Sequence, residues 1–260
     1  MRIPDTLQLE KRLSSEGMTN RVIVLEEVDS TNTYASRLAR DGGTEGTVVV
    51  ARNQTSGRGR HGRKWISEPR KNLTFSMILK PEVPIDRLGM IPILAGLSVA
   101  EALTAFLPNP AICKWPNDVL VGNRKICGIL SESFLLEERA PVVVVGFGVN
   151  INQRSFDGEL GESATSMSNV ASRAYDPVIV LISILRSLSK WYDEFLRGRD
   201  LEIVNGWRSR TRMIGLPAAI MRNGEMIKGT VLDVDIDGGL LLQQSGNIVK
   251  VIGEEVSLEH

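Results

Sequence analysis

The stretch Asn53 to Trp65 (N-Q-T-S-G-R-G-R-H-G-R-K-W) sets three glycines, Gly57, Gly59 and Gly62, among four cations, Arg58, Arg60, Arg63 and Lys64. Glycine lets a backbone take positive φ and approach a ligand closely. Arginine grips carboxylates and phosphates with a planar fork. Interleaved, the two make a flexible loop lined with cations and exposed backbone N–H groups, suited to an anionic ligand and able to close over it. The spacing is neither that of a P-loop nor G-x-G-x-x-G, and on composition alone a charge run is a solvated surface loop. Trp65 speaks for more, because a ring directly after the charges can stack on a planar base or an arginine.

Other stretches can add to this chemistry. Asp29-Ser30-Thr31-Asn32 offers short hydrogen-bonding side chains at a helix start, and Gln54 opens the loop with an amide. Lys114-Trp115-Pro116-Asn117-Asp118 puts polar groups in a turn. Lys125 stands in an otherwise apolar run, K-I-C-G-I-L, and Gly146, Gly148 and Asn150 close a strand with small residues and one amide. Each has a plain structural explanation: Ser30 as a helix cap, Asn117 and Asp118 as turn formers, Lys125 as a strand-end residue, Asn150 as a turn closer. Together they supply amides for a urea-like or amide-like head, cations for an anion, and a lone lysine. No Ser-His-Asp arrangement is visible, and His61 within a flexible loop is a poor general base. Catalysis by positioning and charge is the chemistry these residues can do.

The rest of the chain bounds the answer. Its 260 residues allow one large domain, or one plus a small one. Lys+Arg and Asp+Glu are 31 each, so the basic loop is local, and the basic excess of a non-specific nucleic-acid binder is missing. Cys113 and Cys127 fit a reducing compartment and no disulfide framework. With only His61 and His260 in the chain, a histidine metal site is not expected. The start M-R-I-P-D-T-L-Q-L-E-K-R has no apolar core of a secretory signal, and no run is expected to reach the length of a membrane span. The expected location is cytoplasmic.

The positioning elements follow from periodicity. Residues 1–20 read as short and polar. Arg21 to Val28 reads as a strand, then a helix carrying Ala35, Leu38 and Ala39, ended by Gly42-Gly43. Thr47 to Ala51 is a buried-type strand leading into the basic loop. Asn72 to Lys80 alternates Leu73, Phe75, Met77 and Leu79, a half-buried strand. Leu88 to Leu107 reads as a helix with Pro92 tolerated in its first turns. Ala111–Trp115, Val119–Val121 and Lys125–Leu136 are strands, the last two a hairpin about Gly122-Asn123, and Pro141 to Asn152 is another strand. Residues 153–166 read as loop. Val178, Leu181, Ile182, Leu185, Leu188, Tyr192 and Phe195 mark an amphipathic helix. From about Met213, turn dipeptides at Asn223-Gly224, Asp237-Gly238 and Ser245-Gly246 mark a small β barrel or sandwich that docks on the main body.

G-R-G-R-H-G-R-K-W, K-W-P-N-D, R-K-I-C-G-I-L and G-F-G-V-N-I-N, in this order and spacing, resemble the biotin protein ligase family. S-T-N before the first helix and the final I-G-E-E-V-S-L fit as well, so the resemblance runs from about residue 22 to the end. It implies an α+β fold: a mixed, largely antiparallel sheet with flanking helices, of the class II synthetase and biotin ligase kind, over residues 1–212, and a small SH3-like β barrel over 213–260. It implies that biotin and ATP form biotinyl-5′-AMP and that a lysine of a biotin carboxyl carrier protein then attacks it. Mg²⁺ is expected with the nucleotide. Carried over by motif, Ser30, Thr31, Asn32, Gln54, Arg58, Gly59, Arg60 and Lys125 resemble the biotin-contacting set. Arg58, Arg60, Arg63, Trp65, Asn117, Lys125 and Asn150 resemble the ATP and adenylate set. Arg60 and Lys125 are the expected catalytic cations, and Asp118 is expected to orient or deprotonate the incoming lysine. About 20 residues before the first strand are too few for the DNA-binding module of some members, so no DNA partner is expected, and with no run of membrane-span length expected, no membrane partner either. Members dimerise through different surfaces, which leaves a homodimer open.

Two alternatives stand beside this one. A lipoate ligase or octanoyl transferase shares the architecture, but an R-R-x-x-G-G-G-x-V-type loop is absent and G-R-G-R-H-G-R stands in its place. A non-catalytic nucleotide- or nucleic-acid-binding module would instead show strong salt-dependent affinity.

Overall fold

Helix α1 (Thr6–Ser15) opens the computed structural model, which describes residues 3–136, 140–158, 160–222, 225–253 and 256–258. The Asp5 carboxylate accepts from the Gln8 N–H at its first turn, and Leu9 and Leu13 are fully buried. Residues 1–20, read from the sequence only as short and polar, thus contain a helix. Its third leucine, Leu7, is exposed, so the leucines mark no clear period. Strand β1 (Val22–Leu25) follows, then α2 (Thr31–Arg40) and β2 (Val48–Ala51). The basic loop leads to β3 (Leu73–Leu79) and, after a short 3-10 turn, α3 (Met90–Thr104). Strands β4 (Ala111–Lys114), β5 (Asp118–Val121), β6 (Arg124–Leu136) and β7 (Ala140–Val149) complete the large sheet.

Among the described residues this sheet has seven strands in the order β1-β2-β3-β7-β6-β5-β4, with β1 and β2 parallel and every other neighbouring pair antiparallel. The fold is α+β with a mixed, largely antiparallel sheet and flanking helices. One face of the sheet packs on α3 and on α6 (Pro177–Leu196), in a core that stacks Phe75 on Phe147 at 4.6 Å. The other face meets α2 through Ala35, Ala39, Val49, Ile78, Val142 and Val144. Strand β3 is thus buried at every position rather than half-buried, because each face of the sheet has its own helix.

Ile85–Thr104 is long and apolar enough to cross a membrane by length and composition, contrary to the sequence expectation. It is 67% buried over that window and serves as the central core helix. In α6 the Asp176 carboxylate accepts from the Val178 N–H at 3.0 Å, Pro177 stands where its missing N–H costs nothing, and all seven expected apolar positions are buried. Three short helices complete the body: α4 (Leu160–Ser163), within the supposed loop, α5 (Met167–Ala171) and α7 (Asp200–Arg208).

Strands β8 (Pro217–Arg222), β9 (Glu225–Val234), β10 (Leu240–Gln244), β11 (Asn247–Val251) and β12 (Val256–Leu258) form a second, antiparallel sheet in the order β11-β10-β9-β8-β12. Asp237-Gly238 and Ser245-Gly246 turn between its strands, whereas Asn223-Gly224 lies outside the described residues. The sheet is fastened to the body at Trp115, whose indole Nε1 donates to the Gly238 carbonyl at 2.9 Å.

Candidate active site

The glycine–arginine loop is a miniature hairpin. The Trp65 N–H donates to the Gly57 carbonyl at 2.9 Å, and the Gly59 N–H donates to the Arg63 carbonyl at 2.7 Å. At its tip His61 and Gly62 take φ values of 51° and 73°, so the turn needs the left-handed region. The hairpin stands over a cavity of about 440 Å³, between the first turn of α2 and the strands β5, β6 and β7. Its wall carries six cations, Arg58, Arg60, Arg63, Lys64, Lys114 and Lys125, and one carboxylate, Asp118.

The floor at one end is polar and buried. Ser30, Thr31 and Asn32 begin α2, each at most 4% exposed. Ser30 has the geometry of a cap but makes no capping bond through its side chain, so its hydroxyl remains for the cavity. Gln54 accepts through Oε1 from the Thr31 N–H at 2.8 Å and the Thr31 hydroxyl at 3.0 Å. The Ser76 hydroxyl is within 2.7 Å of Thr31 Oγ1 and 2.6 Å of Asn32 Oδ1, while Asn32 Nδ2 donates to the Leu130 carbonyl and to Glu132. Gly146 lies directly under this amide, and a Cβ there would collide with Asn32 Oδ1.

At the other end Trp65 packs closely against Gly148 and Gly128, a facing pair on β7 and β6, and a methyl group on Gly148 would enter the indole. Lys125 Nζ is 5.7 Å from the Trp65 ring centroid and 2.6 Å from Asp118 Oδ1. Asn117 is held by its own strand pair: its Nδ2 donates to the Ile129 carbonyl at 2.7 Å, and its Oδ1 lies 3.4 Å from Arg60 Nη1. Arg60 also donates to the Gly253 carbonyl, in the bend that follows β11 of the second sheet. Asn150 donates through Nδ2 to the Thr165 carbonyl at 3.0 Å. Two buried polar atoms of the wall, the Trp65 Nε1 donor and the Asn150 Oδ1 acceptor, have no partner among the described residues. Cys127, fully buried beside this wall, has its thiol pushed well above the usual range by burial, so it is inert at neutral pH.

Residues 24–150, most of the hairpin and wall, match the model of the Biotin/lipoate A/B protein ligase family. The chain is 33% identical over 248 residues to a bifunctional ligase/repressor of Bacillus spizizenii, a match covering 95% of this chain and 76% of that protein. The chain belongs to the biotin protein ligase family. Within that family it is also 30% identical over 259 residues to a biotin–[acetyl-CoA-carboxylase] ligase of Mycobacterium tuberculosis, covering 97% of this chain and 94% of the other. Among solved biotin protein ligases, that of Aquifex aeolicus in complex with biotin and ATP superposes with a TM-score of 0.80 at 33% identity, over 92% of this chain and 98% of that one.

Every site residue expected for a biotin protein ligase from the sequence lies on this one cavity: Ser30, Thr31, Asn32, Gln54, Arg58, Gly59, Arg60, Arg63, Trp65, Asn117, Asp118, Lys125 and Asn150. Trp115 of the K-W-P-N-D motif does not, since it is 2% exposed and turned toward the second sheet. Lys114 and Asn123, read from the sequence only as parts of a motif and a turn, also line the wall, and Ser76 and Glu132, which the sequence pattern does not single out, stand just behind it. For Ser76 the signal is faint: a small polar residue on the second face of an alternating strand.

Proposed function

We propose that this chain is an ATP-dependent biotin protein ligase, forming biotinyl-5′-AMP with release of pyrophosphate and then passing the biotinyl group to a lysine of a biotin carboxyl carrier protein. One observation carries this reading: a single cavity sets six cations against one carboxylate beside a floor of hydroxyls and amides. In the first reaction a carboxylate oxygen attacks the α-phosphorus and the bond to pyrophosphate breaks, so two anions must be brought together. Arg58, Arg60 and Lys125 offset their repulsion and stabilise the charge that builds up, with Arg63 facing the phosphates from the hairpin tip. Ser30, Thr31, Asn32, Gln54 and the Gly59 backbone suit a urea head, which carries both donors and an acceptor. A dithiolane has neither, so this floor favours biotin over lipoate.

Leaving a buried donor or acceptor unpaired costs about 1–3 kcal/mol, so Trp65 Nε1 and Asn150 Oδ1 favour an aminopurine edge that satisfies both. Asn117 supports the nucleotide side next to Arg60. Among the described residues no three His, Cys, Asp or Glu stand together, so Mg²⁺ would travel on the triphosphate with water and phosphate oxygens as ligands. In the second reaction the lysine amine attacks the acyl carbon and AMP leaves. Asp118 is the carboxylate available in the wall to orient that amine or take its proton. A folded hairpin above the mixed anhydride keeps water from it. We assign residues 1–212 to the catalytic domain and 213–260 to an SH3-like barrel; the five antiparallel strands, with a register shift between Leu241 and Leu242, support that reading.

Incubation with labelled biotin, ATP, Mg²⁺ and a carrier domain is expected to place label on one carrier lysine. A protein that releases no pyrophosphate and labels no carrier overturns the proposal.

A further inference from the structure

We infer that Glu132, behind the cavity wall, is a positioning residue that ties the arginine–glycine hairpin to the biotin end of the pocket. The inference rests on the biotin ligase reading of the site and adds a residue that the reaction does not itself require. Glu132 stands on β6 with its side chain 30% exposed. One of its oxygens, Oε2, accepts from Asn32 Nδ2 at 2.9 Å. The other, Oε1, accepts from Arg58 Nη2 at 2.6 Å, with Arg58 Nη1 3.4 Å from Oε2. A single carboxylate therefore joins the first turn of α2 to the hairpin.

Each contact has a separate consequence. Glu132 and the Leu130 carbonyl are acceptors only, so both hydrogens of the Asn32 amide are committed to them. That fixes which way the amide faces: Oδ1 points at Ser76 and over Gly146 and has only acceptor capacity to offer a ligand. At the other oxygen, Arg58 is held in the fork geometry that makes an ion pair count. Arg58 lies between Gly57 and Gly59, where the hairpin leaves the body. Gripping its guanidinium anchors the hairpin base and keeps that charge aligned along the wall. Lifting the hairpin at Gly57 requires this pair to break.

The two roles separate in Glu132→Gln, which keeps an acceptor for Asn32 and removes the charge that holds Arg58. In single turnovers of the full chain with biotin, ATP and Mg²⁺, E132Q is expected to lose bound biotinyl adenylate about three- to tenfold faster, with the biotin Kd within about twofold of wild type. E132A removes both contacts and is expected to weaken biotin binding as well. Arg58→Ala combined with E132Q is expected to lose adenylate no faster than R58A alone, because the lost interaction is the same one. Adenylate loss from E132Q at the wild-type rate, or an additive double variant, overturns the inference. So does a biotin Kd that moves in E132Q in parallel with adenylate loss, since that is the pattern of general loosening. A wild-type protein that forms no adenylate defeats the biotin ligase reading instead; one that does, with E132Q unaltered, defeats only this inference.

Discussion

Lys125 and Asp118 are 2.6 Å apart, on neighbouring strands and facing one cavity, so neither charge is buried alone. Lys125→Ala removes the cation nearest the wall carboxylate and is expected to slow single-turnover adenylate formation by about 10²–10³, the scale of one preorganised electrostatic contact. The biotin Kd is expected to change far less, and an unchanged adenylation rate would remove the charge-neutralisation mechanism. Glycine supplies a second, crossed prediction. A methyl on Gly146 strikes Asn32, and one on Gly148 strikes Trp65. G146A is therefore expected to weaken biotin binding and G148A nucleotide binding, each by about five- to 150-fold, as overpacking of about 1–3 kcal/mol implies. Calorimetry with each ligand alone checks this, and equal losses for both ligands in both variants would contradict it. At this scale the residues that announce themselves by charge or by amide, such as Arg60, Lys125 and Asn117, were legible in the sequence. Ser76 and Glu132 were not. A serine on a strand carries only a faint signal, and a glutamate among surface acids none, until the fold sets Asn32 between them.

The helices that back the sheet are joined by polar clasps as well as apolar faces. Glu101 on α3 accepts from Lys190 at 3.0 Å, from the Trp191 indole at 2.6 Å and from Ser187 at 3.3 Å, all on α6. Burial pushes its carboxyl up, but the hydrogen bonds from Lys190 and Trp191, with attraction from Lys190 and Arg210, outweigh this and hold it below the usual carboxylate range. A group with a lowered folded pKa stabilises above its unfolded pKa and loses that contribution as pH falls through the folded one. Glu101→Gln is therefore expected to cost stability at about pH 7 and progressively less toward about pH 4, whereas Glu101→Ala costs about 1–3 kcal/mol at neutral pH by leaving the indole N–H unpaired. Urea unfolding at several pH values measures both, and a pH-independent E101Q deficit would refute the charge argument. Elements with a full apolar period, α3 and α6 above all, could be read from the sequence. Helix α1 could not, because part of its work is polar. The N–H groups of Val22 and Val24, on the outer edge of β1, donate to Glu10 at 3.1 Å and Thr6 at 3.0 Å. Those contacts cover a sheet edge, as edge strands require, and leave no mark on hydrophobic periodicity.

Across the whole molecule, the second sheet reaches the site by two routes. Arg60 of the hairpin donates to the Gly253 carbonyl. Trp115, just before the Asn117–Asp118 turn, donates its indole N–H to Gly238 and its backbone N–H to the Met213 sulfur at 3.1 Å. Gly238 takes φ of +84°, and a Cβ on it would collide with the Gly89 carbonyl at the start of α3, so glycine is needed there both for its conformation and for the close approach. The sequence placed Trp115 beside the chemistry; the structure makes it the bolt between the two sheets, a role that depends on contacts more than 100 residues away in the chain. Gly238→Ala is expected to cost about 1–3 kcal/mol of strain and to loosen the docking of β9 and β10, and Trp115→Phe about 1 kcal/mol by losing one hydrogen bond while keeping most of the ring. If docking holds the hairpin through Arg60 and the Asn117–Asp118 turn through Trp115, both variants will speed amide exchange in β9 and β10 and will also shed biotinyl adenylate faster, G238A more than W115F. Faster exchange with wild-type retention of the adenylate would mean that the second sheet stabilises the body without shaping the site. The coupling predicts that the two readouts rise together, because Arg60 cannot keep both the Gly253 carbonyl and its place over the cavity once the sheet has moved and taken the bend after β11 with it.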